Sequence, residues 1–237
     1  MQLTVRDAAR FLRVSERTIY RWIREGSIPT YKVQEQYRFN RVEILEWATR
    51  QRLAVAPEIF HETEQTEPLP SLAEALEAGG IHYRVSGNDK ESVIRSVVAL
   101  LHLPDEVDRD FVHAVFMARE SLGSTGVGDG IAIPHVRNPV VLHVSRPQMA
   151  LCFLEKPVDF GALDGKPVFT LFALLTPTVR AHLQLLSRVA FLLKEEEFRR
   201  VLQRQGSREE IFRVVRDLES GLGAGKPNPG IAPESSS

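Results

Sequence analysis

Apolar positions along the chain follow two different periods. Val5, Ala8, Ala9, Phe11 and Leu12 recur at helical spacing and predict a first helix over Val5–Leu12. Arg13-Val14 makes a short turn, and Ser15 is a good N-cap for a second helix over Glu16–Glu25. Ile19, Trp22 and Ile23 form its inward stripe, and Gly26 ends it. Pro29 opens an extended stretch over Thr30–Phe39, with Tyr31, Val33, Tyr37 and Phe39 as inward positions. A third helix is predicted over Val42–Arg50, with Ile44, Leu45 and Trp47 apolar.

The pattern then breaks. Pro57, Pro68 and Pro70 bracket the acidic run Glu62 to Glu67, so residues 53–70 read as an extended or mobile linker. A second body follows. Helices are predicted over Leu72–Ala78, Lys90–Leu101, Arg109–Arg119, Ala181–Leu193, Glu196–Gln203 and Glu209–Leu218. Extended segments are predicted over Ile81–Val85, Ile131–Pro134, Met149–Phe153 and Val168–Leu175. Helices and strands mixed in this way argue an α/β layer fold. From Gly221 the chain is rich in Gly, Pro and Ser, and a disordered tail is expected over 221–237. The expected units are therefore 1–52, the linker 53–70, the body 71–220 and the tail.

Charge sharpens the division. The whole chain of 237 residues carries a net charge of −1. Residues 1–56 hold 11 Lys and Arg against 6 Asp and Glu, whereas the remainder holds 19 against 25. A basic head on an acidic body points to two functions in one chain. Forty-three per cent of residues are hydrophobic, no apolar run approaches a membrane span, and the start lacks a basic-then-apolar leader, so a cytoplasmic protein is expected. The single cysteine, Cys152, sits in an apolar stretch and reads as a small buried hydrophobe.

The run Gly123-Ser124-Thr125-Gly126-Val127-Gly128-Asp129-Gly130 leads into Ile131-Ala132-Ile133-Pro134-His135. Glycines let a backbone approach a ligand closely, and successive N–H groups form anion-binding concavities. No Lys-Ser/Thr follows, so the run is not a P-loop; Ile131 replaces the third glycine of a dinucleotide fingerprint. A histidine beside such a turn is a good nucleophile for a phosphoryl group.

Arg119-Glu120, Ser124 to Gly128 and Ile131 to His135, followed by Ala181-His182-Leu183, Leu186 and Ala190, resemble the active-site segments of fructose/mannitol-type enzyme IIA domains of the bacterial phosphotransferase system, including their nitrogen-regulatory relatives. The resemblance spans about residues 70–220. It implies an α/β fold of enzyme IIA type 2, a mixed sheet flanked by helices. It also implies that His135 is phosphorylated, that His182 donates to a phosphate oxygen and that Arg119 neutralises phosphate charge. Ser124 and Thr125 would offer hydroxyls, and Gly126 and Gly128 would offer N–H groups. Glu120 reads as a local salt-bridge partner. The remaining histidines, 61, 82, 102, 113 and 143, show no metal-ligand spacing. No metal and no cofactor is expected.

The head resembles the winged helix-turn-helix modules of the excisionase/MerR type through Thr4-Val5, Ala8-Ala9, Leu12 to Ser15, Thr18 to Arg21, Gly26, Ile28-Pro29 and Tyr37-Arg38-Phe39. Gln34-Glu35-Gln36 stands where many relatives carry glycine at the wing tip. Ser15, Arg17, Thr18, Tyr20, Arg21 and Arg24 lie on or beside the second helix, and Lys32 and Arg38 lie on the wing. Arg17, Arg21 and Arg24 are three or four residues apart and so share one helical face, as a DNA-reading stripe requires.

Together these readings predict a DNA-binding regulator phosphorylated on His135 by a histidine phosphocarrier protein. Its chemistry would be phosphohistidine transfer rather than small-molecule turnover. The alternatives are a phosphocarrier subunit serving a sugar-permease IIB domain, and a regulator that binds protein instead of DNA. A homodimer is compatible with paired half-sites, although no heptad pattern specifies one.

Overall fold

The computed structural model describes residues 2–33, 36–51, 53, 70–105, 107–136 and 144–223. Most of the expected linker, the wing tip Gln34-Glu35, His61, His143 and the chain beyond Gly223 lie outside them.

The first module contains β1 (Gln2–Leu3), α1 (Val5–Phe11), α2 (Glu16–Arg24), β2 (Tyr31–Val33), β3 (Gln36–Asn40) and α3 (Arg41–Arg50). Thr4 caps α1 in a reciprocal box with Asp7, and the Ser15 side chain accepts from the Thr18 N–H at the start of α2. β1 pairs antiparallel with β3, which pairs antiparallel with β2. The helix-turn-helix and its wing are therefore present. The short β1, which carries no alternation long enough to read, is the addition. Ala8, Phe11, Ile19, Phe39, Ile44 and Leu45 are fully buried and knit the module together.

The second module runs α4 (Leu72–Gly79), β4 (Ile81–Val85), α5 (Lys90–Leu100), α6 (Arg109–Ser121), β5 (Gly126–Gly128), β6 (Ile131–Ala132), β7 (Gln148–Val158), β8 (Val168–Leu175), α7 (Val179–Leu192), α8 (Glu196–Gln203) and α9 (Arg208–Gly223). The sheet has the order β4-β7-β8-β6-β5. β4 with β7 and β6 with β8 are parallel; β7 with β8 and β5 with β6 are antiparallel. Side chains along the two long strands alternate between two cores, as a pleated sheet demands. Met149, Leu151, Phe153, Phe172 and Leu174 face one core with α4, α7, α8 and α9. Ala150, Cys152, Leu154, Leu171, Ala173 and Leu175 face the other with α5 and α6. Both faces are covered, which explains why β7 and β8 read as continuous apolar runs. Burial pushes the Cys152 thiol up to about 12, in keeping with a purely packing role.

The glycine run is partly strand. Gly126–Gly128 forms β5, and Asp129 and Gly130, at φ +51° and +72°, turn it into β6. A Cβ at Gly130 would stand 2.1 Å from the Phe169 ring, so only glycine fits that turn. α9 continues through Gly223, past the predicted end at Leu218. Glu219 on this extra turn accepts from the Leu72 and Ala73 N–H groups at 2.7 and 3.1 Å and pairs with Arg188.

The two modules touch. α3 packs against α7 and β5, and the apolar residues of the first module run on into the core below α7.

Candidate functional site

His135 leaves β6 through Ile133 and Pro134. Leu174 N–H donates to the Pro134 carbonyl at 2.9 Å, and His135 bridges to Leu174, so β8 fixes the backbone that presents the ring. The residue is 4% exposed. Its Nδ1 lies 2.7 Å from the Ile133 carbonyl. A carbonyl only accepts, so Nδ1 carries a hydrogen and Nε2 is the nitrogen turned to the pocket.

Arg119 sits in the last turn of α6. Its Nε donates to His135 Nε2 at 3.2 Å, while Nη1 donates to the Gly123 carbonyl at 2.9 Å. The same guanidinium thus ties down the start of the glycine run and faces His135 Nε2. His182 is the fourth residue of α7, whose start is capped by Thr178. Its ring lies 5.2 Å from that of His135, and neither ring nitrogen has a hydrogen-bond partner among the described residues. Burial first, then the His135 ring and Arg119, push His182 down to about 3. At neutral pH the ring is therefore uncharged, with one N–H to donate.

The proposed phosphate ligands separate on inspection. Thr125 Oγ1 is buried without a partner among the described residues, and Thr125 lines the His135 pocket. Its N–H donates to Glu120 Oε2 at 3.0 Å, and Glu120 pairs with Lys90 at 3.0 Å, a structural role. The Ser124 hydroxyl donates to the Phe160 carbonyl at 2.6 Å and accepts from Gly126 N–H at 3.0 Å. Both groups are therefore engaged in holding the loop. Gly128 lines an adjoining cavity of about 110 Å³ rather than the His135 pocket.

Sequence reasoning missed Glu46. It lies on α3 of the first module, yet its Oε1 is 2.8 Å from His135 Nε2 and its Oε2 is 2.7 Å from Arg119 Nη2. Glu46, Thr49 and Arg50 fall on one face of α3 and line the pocket with Arg119, Thr125 and His135. The room there is about that of one water. Burial raises the Glu46 carboxyl, but the hydrogen bond and charge of His135, then Arg119, outweigh it and bring it down to about 2. Glu46 is 89 residues from His135 in sequence, and no short-range spacing points to it. The available signal was an excess: Ile44, Leu45, Trp47 and Ala48 are all buried, more than one stripe of a surface helix requires.

Ligand atoms of Glu46, His135 and His182 lie within 4.8 Å of one another, a geometry open to a metal ion. The Arg119 guanidinium touches two of the three groups and puts a fixed positive charge at the centre. That charge suits an anion and opposes a cation.

On α2, Arg17, Tyr20, Arg21 and Arg24 are exposed together. Arg21 carries a long surface pair with Glu25 at 3.9 Å. Ser15 and Thr18 are engaged with each other in the cap at 2.9 Å, so the basic stripe is the open part of the predicted DNA face. Arg38 bonds the Tyr37 carbonyl and Gln36 on the wing, and the Lys32 side chain lies outside the description.

Comparison with known proteins agrees with this architecture. The nitrogen regulatory protein of Pseudomonas aeruginosa is 38% identical over 154 residues, covering 63% of this chain and 97% of that protein. The nitrogen regulatory protein of Escherichia coli is 35% identical over 141 residues, covering 59% of this chain and 83% of that protein. The crystal structure of nitrogen regulatory protein IIA-Ntr from Neisseria meningitidis superposes with a TM-score of 0.54 at 32% identity, covering 61% of this chain and 98% of that one. No helix among the described residues is long and apolar enough to cross a membrane. Residues 74–217 match the model of the phosphoenolpyruvate-dependent sugar phosphotransferase system EIIA type 2 family and residues 3–52 match a helix-turn-helix domain, so the chain belongs to the EIIA type 2 family and carries a helix-turn-helix domain ahead of it.

Proposed function

We propose that the protein is a DNA-binding regulator whose EIIA domain accepts a phosphoryl group on His135 Nε2 from a histidine phosphocarrier protein. The observation that carries this reading is the state of the His135 ring. Its Nδ1 hydrogen is fixed on the Ile133 carbonyl, and its Nε2 points at the Arg119 guanidinium.

The Nε2 lone pair attacks the phosphorus of the donor's phosphohistidine. The new N–P bond forms as the donor's N–P bond breaks, and the electron pair of that bond stays with the donor ring. Each ring keeps the hydrogen on its other nitrogen, so no proton has to cross. Chemistry of this kind needs positioning and charge stabilisation more than anything else. Arg119 supplies the planar fork for the phosphoryl oxygens, and neutral His182 and the Thr125 hydroxyl supply hydrogen bonds.

DNA binding is assigned to the α2 face with Arg17, Tyr20, Arg21 and Arg24. Its exposure beside a wing favours nucleic acid over an onward transfer role, for which a carrier has no need of such a face. The regulator form of the reading puts the protein in the cytoplasm with the phosphocarrier. The test is a DNA titration of one preparation before and after phosphorylation, with His135→Ala as control, at constant salt. Affinity or site choice that changes in the wild type and not in the control supports the reading. DNA binding that is absent in both forms, at low salt and with a broad library of sequences, refutes it.

A further inference from the structure

We infer that Glu46 is a built-in occupant of the phosphoryl site, so that docking of the helix-turn-helix module on α3 and phosphorylation of His135 exclude one another. The inference rests on the reading of His135 as the phosphoryl acceptor.

Three observations converge. Glu46 takes the two positions that a phosphoryl group needs, namely His135 Nε2 at 2.8 Å and Arg119 Nη2 at 2.7 Å. A phosphorus bonded to Nε2 would stand closer to that nitrogen than the Glu46 oxygen already does, so the two cannot share the space. The room left in the pocket is about that of one water, and Thr49 and Arg50 of the same helix line it beside Glu46. The carboxylate is also the right kind of group, an anion with oxygens spaced to meet the fork of an arginine.

Glu46 also engages the nitrogen that would react. Arg119 Nε and the Glu46 carboxylate both address Nε2, and the Glu46 contact, at 2.8 Å, is shorter than the 3.2 Å to Arg119. Attack on phosphorus needs Nε2 released from Glu46, with Arg119 left in place beside it.

The reverse direction follows from charge. A phosphoryl group brings about −1.5 to −2 at pH 7 and three acceptor oxygens to the place where Glu46 holds a single negative charge. Phosphorylated His135 claims Arg119 and repels Glu46, and α3 loses its polar anchor. The α2 face stays exposed in the docked arrangement. What phosphorylation frees is the placement of the module relative to the body, and with it the geometry in which two chains could meet DNA.

The test uses the full chain as wild type, Glu46→Ala and Glu46→Gln. One readout is the rate at which diethyl pyrocarbonate acylates His135, mapped by peptide mass spectrometry; it needs no phosphodonor. The other is the initial rate of transfer from the phosphorylated phosphocarrier protein. Both rates should rise about tenfold or more in Glu46→Ala, as an acceptor closed for nine-tenths of the time or more requires. Glu46→Gln, which keeps the shape and loses the charge, should fall between. Equal rates for wild type and both variants in both assays overturn the inference. A rise in acylation with no transfer in any variant, from a donor active on another EIIA protein, supports Glu46 as the cap of His135 and overturns the acceptor reading instead.

Discussion

Replacing Glu46 by glutamine keeps the volume of the side chain and removes one charge from the junction of the two modules. The carboxyl is shifted from its ordinary 4.5 to about 2 in the docked structure. At about 1.36 kcal/mol per pH unit, its ionised form is stabilised there by about 3 kcal/mol. A folded value below the unfolded one means the contribution is complete above about pH 4.5 and disappears as pH falls through about 2. Roughly half of it should remain at pH 3. Urea unfolding reads this directly. With a slope of about 3 kcal/mol per molar urea, the first transition of Glu46→Gln should come about 1 M earlier than that of the wild type at pH 7. The gap should narrow steadily between pH 4.5 and pH 2, because acid does to the wild type what the substitution did already. Other carboxylates titrate alike in both proteins and cancel. Equal midpoints at pH 7, or a gap of constant size from pH 5 to pH 3, would refute the assignment of Glu46 as an ionised anchor.

Three further outcomes follow from the same geometry. Gly130→Ala should lower the thermal midpoint by several degrees, since φ +72° and the Phe169 ring both oppose a Cβ; an unchanged melting curve would mean the hairpin is not built as described. His182→Gln should slow transfer to His135 by about 100-fold while leaving His135 the labelled residue, and a full rate would remove His182 from the site. Arg21→Ala should weaken DNA binding, reduce the salt slope of log affinity by about 1 and leave thermal stability alone; an unchanged affinity would move the DNA face elsewhere.

Much of this was legible in the sequence, and what was missed has physical reasons. The helices of the first module carried a helical period because each buries one stripe, and the strands β7 and β8 stood out as continuous apolar runs because both of their faces are covered. Arg119, His135 and His182 were readable from the family resemblance, and the structure brings them together. β5 was hidden because a strand made of Gly126, Val127 and Gly128 has almost no side chains to alternate. Ser124 and Gly126 read as phosphate ligands, yet they satisfy one another, since a loop must first bond its own polar groups. Glu46 was illegible for a different reason. Its meaning depends on how two modules pack, and a charged residue on a helix is by default a solvated one. Only the surplus of buried residues around it on α3 hinted at a second partner for that helix.

The central claim is that His135 accepts a phosphoryl group through Nε2. The measurement is to incubate the full chain with phosphoenolpyruvate, enzyme I and the phosphocarrier protein, then to locate the label and identify the nitrogen by nitrogen-correlated NMR. The account predicts one acid-labile phosphoryl group on Nε2 of His135, absent from His135→Ala and formed faster in Glu46→Ala. No label from a donor of proven activity, or a label on Nδ1 or on another residue, would contradict it.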